Sequence, residues 1–299
     1  MRRRALLGSA SAAVLTAGCS GLAIDSSHPS RNQDSRVLFV VLHYTVGNFE
    51  TSLRQLTEGE VSSHYLVRDE PARIYRLVDE DRRAWHAGPS CWKAFCGLNA
   101  SSVGIEIVNP GPQDGPQGRT WAPFPPAQMA LVLPLVRQIV LRHQVRAERI
   151  LGHNEIAPAH KEDPGPLFPW RRLAEEGLIA WPRRDEVMLA RAVLRQRAPE
   201  GVPDIAWFQE RLALHGFRLP REGRLDALTR RCLQMLQMRY RPRRCEGEPD
   251  AETAALLLAL TSPDYQARAH QVPDGRGRPL QDAMYDGATD ADWNALSPA

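Results

Sequence analysis

Arg36-Val37-Leu38-Phe39-Val40-Val41-Leu42 runs straight into His43-Tyr44-Thr45-Val46-Gly47. A continuous apolar, β-branched run of this length, without polar alternation, is the pattern of a strand buried on both faces. His43 stands where that strand ends. Working outward, residues 63–68 and 73–78 are two more strand-like runs, and the turn Asp69-Glu70-Pro71-Ala72 between them makes a hairpin. Ser102-Val103-Gly104-Ile105-Glu106-Ile107-Val108 reads as a further strand, stopped by Asn109-Pro110-Gly111 and followed by a Gly/Pro-rich loop. A long helix is predicted from Pro126, a good first-turn residue, to His143, with Pro134 expected to kink or break it. Ile150-Leu151 is a short strand, residues 152–169 a loop dense in Pro, His and acidic groups, and 170–176 a helix ended by Gly177. This mixture predicts an α/β fold with a central mixed β-sheet flanked by helices.

The 299 residues are enough for one sizeable core and a small second domain. The expected division is a signal peptide over 1–19, a polar tether over 20–35, the α/β domain over 36–182 and a charged, partly helical linker over 183–203. A small three-helix bundle follows over 204–261, then a polar tail over 262–299 with no clear period, read as extended. The bundle carries an internal echo, Gly223-Arg224-Leu225-Asp226-Ala227-Leu228-Thr229 against Gly247-Glu248-Pro249-Asp250-Ala251-Glu252-Thr253. In each copy glycine frees a turn and Asp caps the helix that follows.

At the N-terminus, Met1-Arg2-Arg3-Arg4 precedes an apolar stretch too short to span a bilayer as a stable helix, which is the form of a signal peptide. Leu15-Thr16-Ala17-Gly18-Cys19 resembles a lipobox, in which Cys19 becomes the lipidated first residue of the mature chain; Arg3-Arg4 also bears a weak likeness to a twin-arginine signal. Both routes lead out of the cytoplasm. Ser20 after Cys19 points to outer-membrane delivery, so the expectation is a lipid-anchored periplasmic protein. Net charge +3, spread over 38 basic and 35 acidic residues, makes no concentrated basic face and gives no case for nucleic acid. Cys91, Cys96, Cys232 and Cys245 allow three pairings in an oxidising compartment; the local pairs 91–96 and 232–245 cost least topologically.

His43, His153 in Gly152-His153-Asn154-Glu155, and Asp163 in Lys161-Glu162-Asp163-Pro164 could supply two imidazoles and a carboxylate to a hydrolytic zinc ion with an open fourth position. Such an ion lowers the pKa of its water to about 7 and polarises a carbonyl. Spacing alone leaves the choice open, because His64, His86, His143 and His160 are rival ligands and a lone His or Asp is more often structural. Glu106 interrupts an apolar strand and by itself reads as a solvent-facing residue. Lys161 by itself reads as a surface lysine.

Five segments settle these alternatives by resemblance: Val41-Leu42-His43-Tyr44-Thr45; Ser63-His64-Tyr65-Leu66-Val67; Trp85-His86-Ala87-Gly88; Ser102 through Asn109; and Gly152-His153 through Lys161, Asp163 and Pro169-Trp170. In this order they make residues 36–177 similar to the zinc-dependent N-acetylmuramoyl-L-alanine amidases of the amidase-2 family, relatives of peptidoglycan-recognition proteins. The resemblance implies one zinc per chain on His43, His153 and Asp163. It implies Glu106 as the catalytic carboxylate and Lys161 as the charge that steadies the oxyanion. Tyr44, Trp85 and His86 would line the sugar–peptide groove, and His64 would support the site. Residues 204–261 resemble the three-helix peptidoglycan-binding domain through Phe208-Gln209, Leu212, Gly216, Gly223, Asp226, Thr229, Tyr240, Gly247, Asp250 and Thr253, a pattern that mostly defines the fold.

The implied reaction is hydrolysis of the amide between the lactyl group of N-acetylmuramic acid and L-alanine, by a monomer acting on peptidoglycan or muropeptides. Three rivals remain. A catalytically silent recognition protein should lack a ligand, and none is missing. A zinc peptidase would cut within the stem peptide. A secreted lytic enzyme would carry an unlipidated N-terminus.

Overall fold

The computed structural model describes residue 22, residues 24–116, 118–197 and 202–274, and residues 284 and 285. The leader and Cys19 lie outside the described residues. Residues up to Asp34 form a unit apart from Ser35–Ala299, and its described part carries no helix or strand. Among the described residues no helix is long and apolar enough to cross a membrane.

In chain order the second unit contains β1 (Phe39–Tyr44), α1 (Phe49–Glu58), β2 (Tyr65–Arg68), β3 (Arg73–Arg76), β4 (Cys91–Trp92), β5 (Phe95–Cys96), β6 (Ser102–Ile107), β7 (Pro112–Gly115) and β8 (Gly118–Trp121). It continues with α2 (Pro126–His143), β9 (Ile150–Gly152), α3 (His153–Ile156), α4 (Trp170–Glu175), α5 (Arg184–Arg197), α6 (Ile205–His215), α7 (Ala227–Tyr240), α8 (Ala251–Leu260) and α9 (Pro263–Ala269). Five strands form one sheet in the order β3-β2-β6-β1-β9. β1 lies parallel to both β6 and β9, β2 is parallel to β6, and β3 closes the edge antiparallel to β2. β1 is buried along its whole length, as a central strand covered on both faces must be.

α2 covers one face with Met129, Val132, Val136, Ile139 and Val140. Its Gln128 amide donates to the Val67 and Val108 carbonyls, tying the helix start to the ends of β2 and β6. The expected break at Pro134 does not occur: α2 runs through it. Pro134 and Ala130 are both exposed, so the ring faces water and the carbonyl it leaves unbonded is solvated.

Of the loop expected between Asn109 and the long helix, Pro112–Gly115 and Gly118–Trp121 instead pair antiparallel as β7 and β8. Cys91 and Cys96 are joined, while Cys232 and Cys245 are free. Cys232 sits fully buried in the core and the Cys245 thiol meets the Pro242 carbonyl, so the second local pair does not form.

α6, α7 and α8 are the three expected helices. Asp204, Asp226 and Asp250 cap them by accepting from Trp207, Thr229 and Thr253 N–H at 2.9, 2.7 and 2.8 Å, each cap worth about 1 kcal/mol. The echo also has a buried cause. Gln209 accepts from Gly223 N–H and donates to the Thr229 hydroxyl; Gln237 does the same for Gly247 and Thr253. The stretch 183–203 holds α5, which buries Val187, Ala190 and Leu194; residues 198–201 lie outside the described residues. In the stretch after 262, α9 buries Tyr265 and Ala269.

The helices seat against the sheet domain through the β4–β5 hairpin. Trp92 stacks edge-on to His215 and Phe217, and a Cβ at Gly216 would fall 2.4 Å from its ring. Glycine there is what lets the indole close on the backbone, and Lys93 N–H donates to the Gly216 carbonyl at 2.8 Å.

Candidate metal centre and groove

Parallel pairing assembles the site. His43 lies opposite Glu106 across β1–β6. Leu42 lies opposite Gly152 across β1–β9, so His153, the next residue, emerges beside His43. All three come from the carboxyl ends of parallel strands, where α/β sheets open a crevice. Asp163 is brought back to the same point by its carbonyl, which accepts from Asn154 N–H at 2.8 Å. Gly152 permits this fold-back: a Cβ there would fall 2.5 Å from Asn154 Oδ1 and 2.7 Å from Pro164 Cδ.

His43 Nδ1, His153 Nδ1 and Asp163 Oδ2 form a near-equilateral triangle with sides of 3.0, 2.9 and 3.0 Å. The outer bonds decide which atoms carry protons. The Ser102 hydroxyl donates to the Leu98 carbonyl at 2.6 Å and so accepts from His86 Nε2–H at 3.1 Å. His86 Nδ1 is then an acceptor, and His43 Nε2–H donates to it at 3.0 Å. His153 Nε2–H faces the Ala87 carbonyl at 3.3 Å. For neutral rings, both Nδ1 lone pairs point into the triangle together with a carboxylate oxygen. Three such donors repel unless a cation lies among them. The sides fall a few tenths of an ångström short of the separation of about 3.3 Å that tetrahedral ligands about 2.0 Å from a zinc ion would take. His43, His153 and Asp163 are also the group among the described residues whose ligand atoms can hold a metal ion.

Electrostatics agrees with the donor set. Burial, seconded by the neighbouring His153, lowers His43 to about 4, which keeps its imidazole neutral. Burial likewise pulls His86 well below the ordinary histidine range. Burial would raise Asp163, but its neighbours His153 and His43 outweigh that and hold the carboxyl below its usual range. Burial and the Asp163 charge together push Glu106 well above the usual carboxylate range, with Lys161 opposing them. Glu106 Oε2 is shut away from solvent without a hydrogen-bond partner.

The triangle opens into a groove of about 480 Å³ lined by Tyr44, Trp85, His86, Glu106 and Lys161 among others. Trp85 is 51% exposed, with the Arg83 guanidinium 3.9 Å above its ring. Tyr44 is buried beside Trp121. His86 reaches the groove wall but spends both ring nitrogens on His43 and Ser102. A Cβ at Gly104 would fall 2.5 Å from His86 Cγ, so glycine in this strand lets the ring lie flat against β6.

Sequence reasoning missed Asn99, whose Oδ1 accepts from His86 and Ala87 N–H, and the pair Arg119 and Arg231. These two arginines flank Glu162 in the groove wall. A glycine inside a strand pattern hints at a close approach, but nothing local marks Arg231, which sits in the helical bundle.

The N-acetylmuramoyl-L-alanine amidase family pattern matches residues 33–166. The N-acetylmuramoyl-L-alanine amidase AmiD of Escherichia coli (strain K12) is 39% identical over 269 residues, 83% of this chain and 94% of that protein. The chain belongs to the N-acetylmuramoyl-L-alanine amidase family. Among solved structures, the amidase AmiD from E. coli in complex with the substrate anhydro-N-acetylmuramic acid-L-Ala-D-gamma-Glu-L-Lys aligns with TM-score 0.71, covering 79% of this chain and 93% of that one. AmpDh3 from Pseudomonas aeruginosa in complex with anhydromuramic pentapeptide is 35% identical and aligns with TM-score 0.72, covering 80% of this chain and 97% of that one. In this amidase the rival histidines fall away from the triangle. His64 accepts from Gly104 N–H at 3.0 Å and donates to the Arg82 carbonyl at 3.1 Å, supporting β6. His143 pairs with Glu80, and His160 is exposed on the groove rim.

Proposed function

We propose that this amidase hydrolyses the amide between the lactyl carbonyl of N-acetylmuramic acid and L-alanine, with one zinc ion held by His43, His153 and Asp163. The observation that carries the reading is the convergence of two Nδ1 lone pairs and a carboxylate oxygen beside an unpartnered Glu106 at the floor of an open groove. When bound, zinc supplies a Lewis acid that polarises the amide carbonyl and acidifies water. The chain's own residues then handle the proton and the charge. As water adds to the carbonyl carbon, Glu106 takes its proton; as the C–N bond breaks, Glu106 hands that proton to the nitrogen of L-alanine. A carboxyl whose proton affinity is raised by burial and by Asp163 suits this relay. Lys161 places its positive charge toward the oxygen that becomes negative. Tyr44 and Trp85 flank the sugar and peptide, and His86 holds His43 with Nδ1 turned to the metal.

Two related structures carry anhydro-muramyl peptides, which supports released wall fragments as substrate and a role in recycling. Digestion of defined anhydro-muropeptides, read by mass spectrometry, tests this. The expected products are the free muramyl sugar and an intact stem peptide beginning with L-alanine. Cleavage inside the stem would make the protein a peptidase, and no cleavage would make it a recognition module.

The basic start, the apolar stretch and Leu15-Thr16-Ala17-Gly18-Cys19 support anchoring through a lipid on Cys19, on the periplasmic side of the outer membrane. Labelling cells with a radioactive fatty acid should mark the wild type and leave Cys19→Ala unmarked; label on both would refute the anchor. The helical part over 204–261 is similar to wall-binding bundles, and the chain is proposed to act as a monomer.

A further inference from the structure

We propose that α7 of the helical bundle is part of the active-site scaffold: Arg231 and Arg239 grip the two ends of the loop that carries His153, Lys161 and Asp163 and keep it in register with His43. The inference rests on the reading of those residues as the metal loop.

The loop leaves β9 at Gly152 and returns at Asp163. Within the loop, backbone bonds hold the inner shape: Asn154 N–H to the Asp163 carbonyl at the neck, Ala157 N–H to the His153 carbonyl at 3.0 Å, and His160 and Lys161 N–H to the Ala157 carbonyl, each at 3.1 Å. Its outer edge is held by α7. Arg231 donates from Nε to the Pro158 carbonyl, from Nη2 to the Lys161 carbonyl and from Nη1 to Glu162, each at 3.0 Å. One planar fork thus spans five residues and ends on the two that precede Asp163. Gln234, one turn on, steadies the fork at 2.8 Å, and Arg119 from β8 holds Glu162 from the other side at 2.6 Å.

At the entry end, Arg239 is buried and donates to Glu155 Oε2 at 2.6 Å and to the Ile150 carbonyl at 3.3 Å. Its guanidinium lies 4.0 Å over the Trp170 ring. The same Glu155 oxygen accepts from Gly152 N–H at 2.8 Å, the amide immediately before His153. One helix therefore reaches both flanks of the loop with groups that lysine could not replace, because only a guanidinium offers several donors in a fixed plane. Arg231 and Arg239 are positioning residues. The bundle serves the reaction whether or not it also binds wall.

Arg239 sits in a buried ion pair and its loss would disturb folding broadly, so the test uses Arg231, whose side chain is 26% exposed. Full-length wild type, Arg231→Gln and Arg231→Lys are compared by hydrogen–deuterium exchange, by zinc retention against a competing chelator, and by kinetics on an anhydro-muropeptide. Exchange over residues 157–165 should rise about tenfold in both variants, with α8 unchanged, and zinc should be lost at about tenfold lower chelator concentration. kcat should fall by about tenfold to a hundredfold, as expected for a shifted catalytic group, with KM within about twofold. Lysine should behave as glutamine does. Wild-type exchange and zinc retention in the variants would overturn the proposal. So would a lysine variant that restores every value, since charge alone would then suffice, or protection lost evenly over α7 and α8. Exchange and zinc retention are read without turnover, so they test the grip even if the amidase reading itself fails.

Discussion

Glu106→Gln is expected to lower kcat on muropeptides by about 10²- to 10⁴-fold, the range for loss of a positioned proton carrier, while zinc content and KM stay near wild type. The substitution keeps shape and polarity. Glu106 lies on β6 between Ile105 and Ile107, paired with His43 across the sheet, and Oε2 has no partner whose loss would loosen the strand. An amide therefore fits the same space, and what it removes is the ability to accept a proton and give it back. Burial and Asp163 raise the proton affinity of this carboxyl, which suits a group that takes up a proton and returns it. Retention of more than a tenth of wild-type kcat at full zinc loading would remove Glu106 from the proton-transfer role.

His153→Ala is expected to abolish zinc-dependent turnover and to cut zinc affinity well beyond the roughly 10–100-fold seen when an outer partner of a ligand is lost. Two sides of the triangle end on His153 Nδ1; without it one imidazole and one carboxylate remain, too few for a tetrahedral site. Thermal unfolding separates this from general damage. Because ligands that bind only the folded state stabilise it, added zinc should raise the Tm of the wild type and leave that of His153→Ala unmoved. A zinc-dependent rise of wild-type size in the variant would show that the ion binds elsewhere.

Much of the sheet domain was legible in the chain. β1 announces itself as an unbroken apolar run, β6 as another with one Glu, and α2 by its Pro126 start and apolar spacing. The elements that escaped are those with weak local signals. α1 buries only Phe49, Ser52 and Leu56, with Leu53 half-buried beside them, on a helix whose other residues are polar. β7–β8 is a short, mostly exposed hairpin beginning at a proline. α9 lies in a stretch that reads as an extended polar tail yet buries Tyr265 and Ala269, while α5, within the stretch read as a partly helical linker, hides Val187, Ala190 and Leu194 among charges.

The sequence by itself determined which chemistry is available: two imidazoles, an Asp, an interrupting Glu and a Lys, ordered in segments similar to a known amidase family. It could not choose by spacing among His43, His64, His86, His143, His153 and His160, because 110 residues separate the two that meet. Tertiary structure made that choice through parallel register, which sets Glu106 and Gly152 beside the end of β1. It also made His86, which lines the groove, the acceptor that fixes the His43 tautomer, and gave α7 its hold on the metal loop. Both depend on hydrogen bonds between residues far apart in the chain, and such bonds leave no local pattern for a sequence to display.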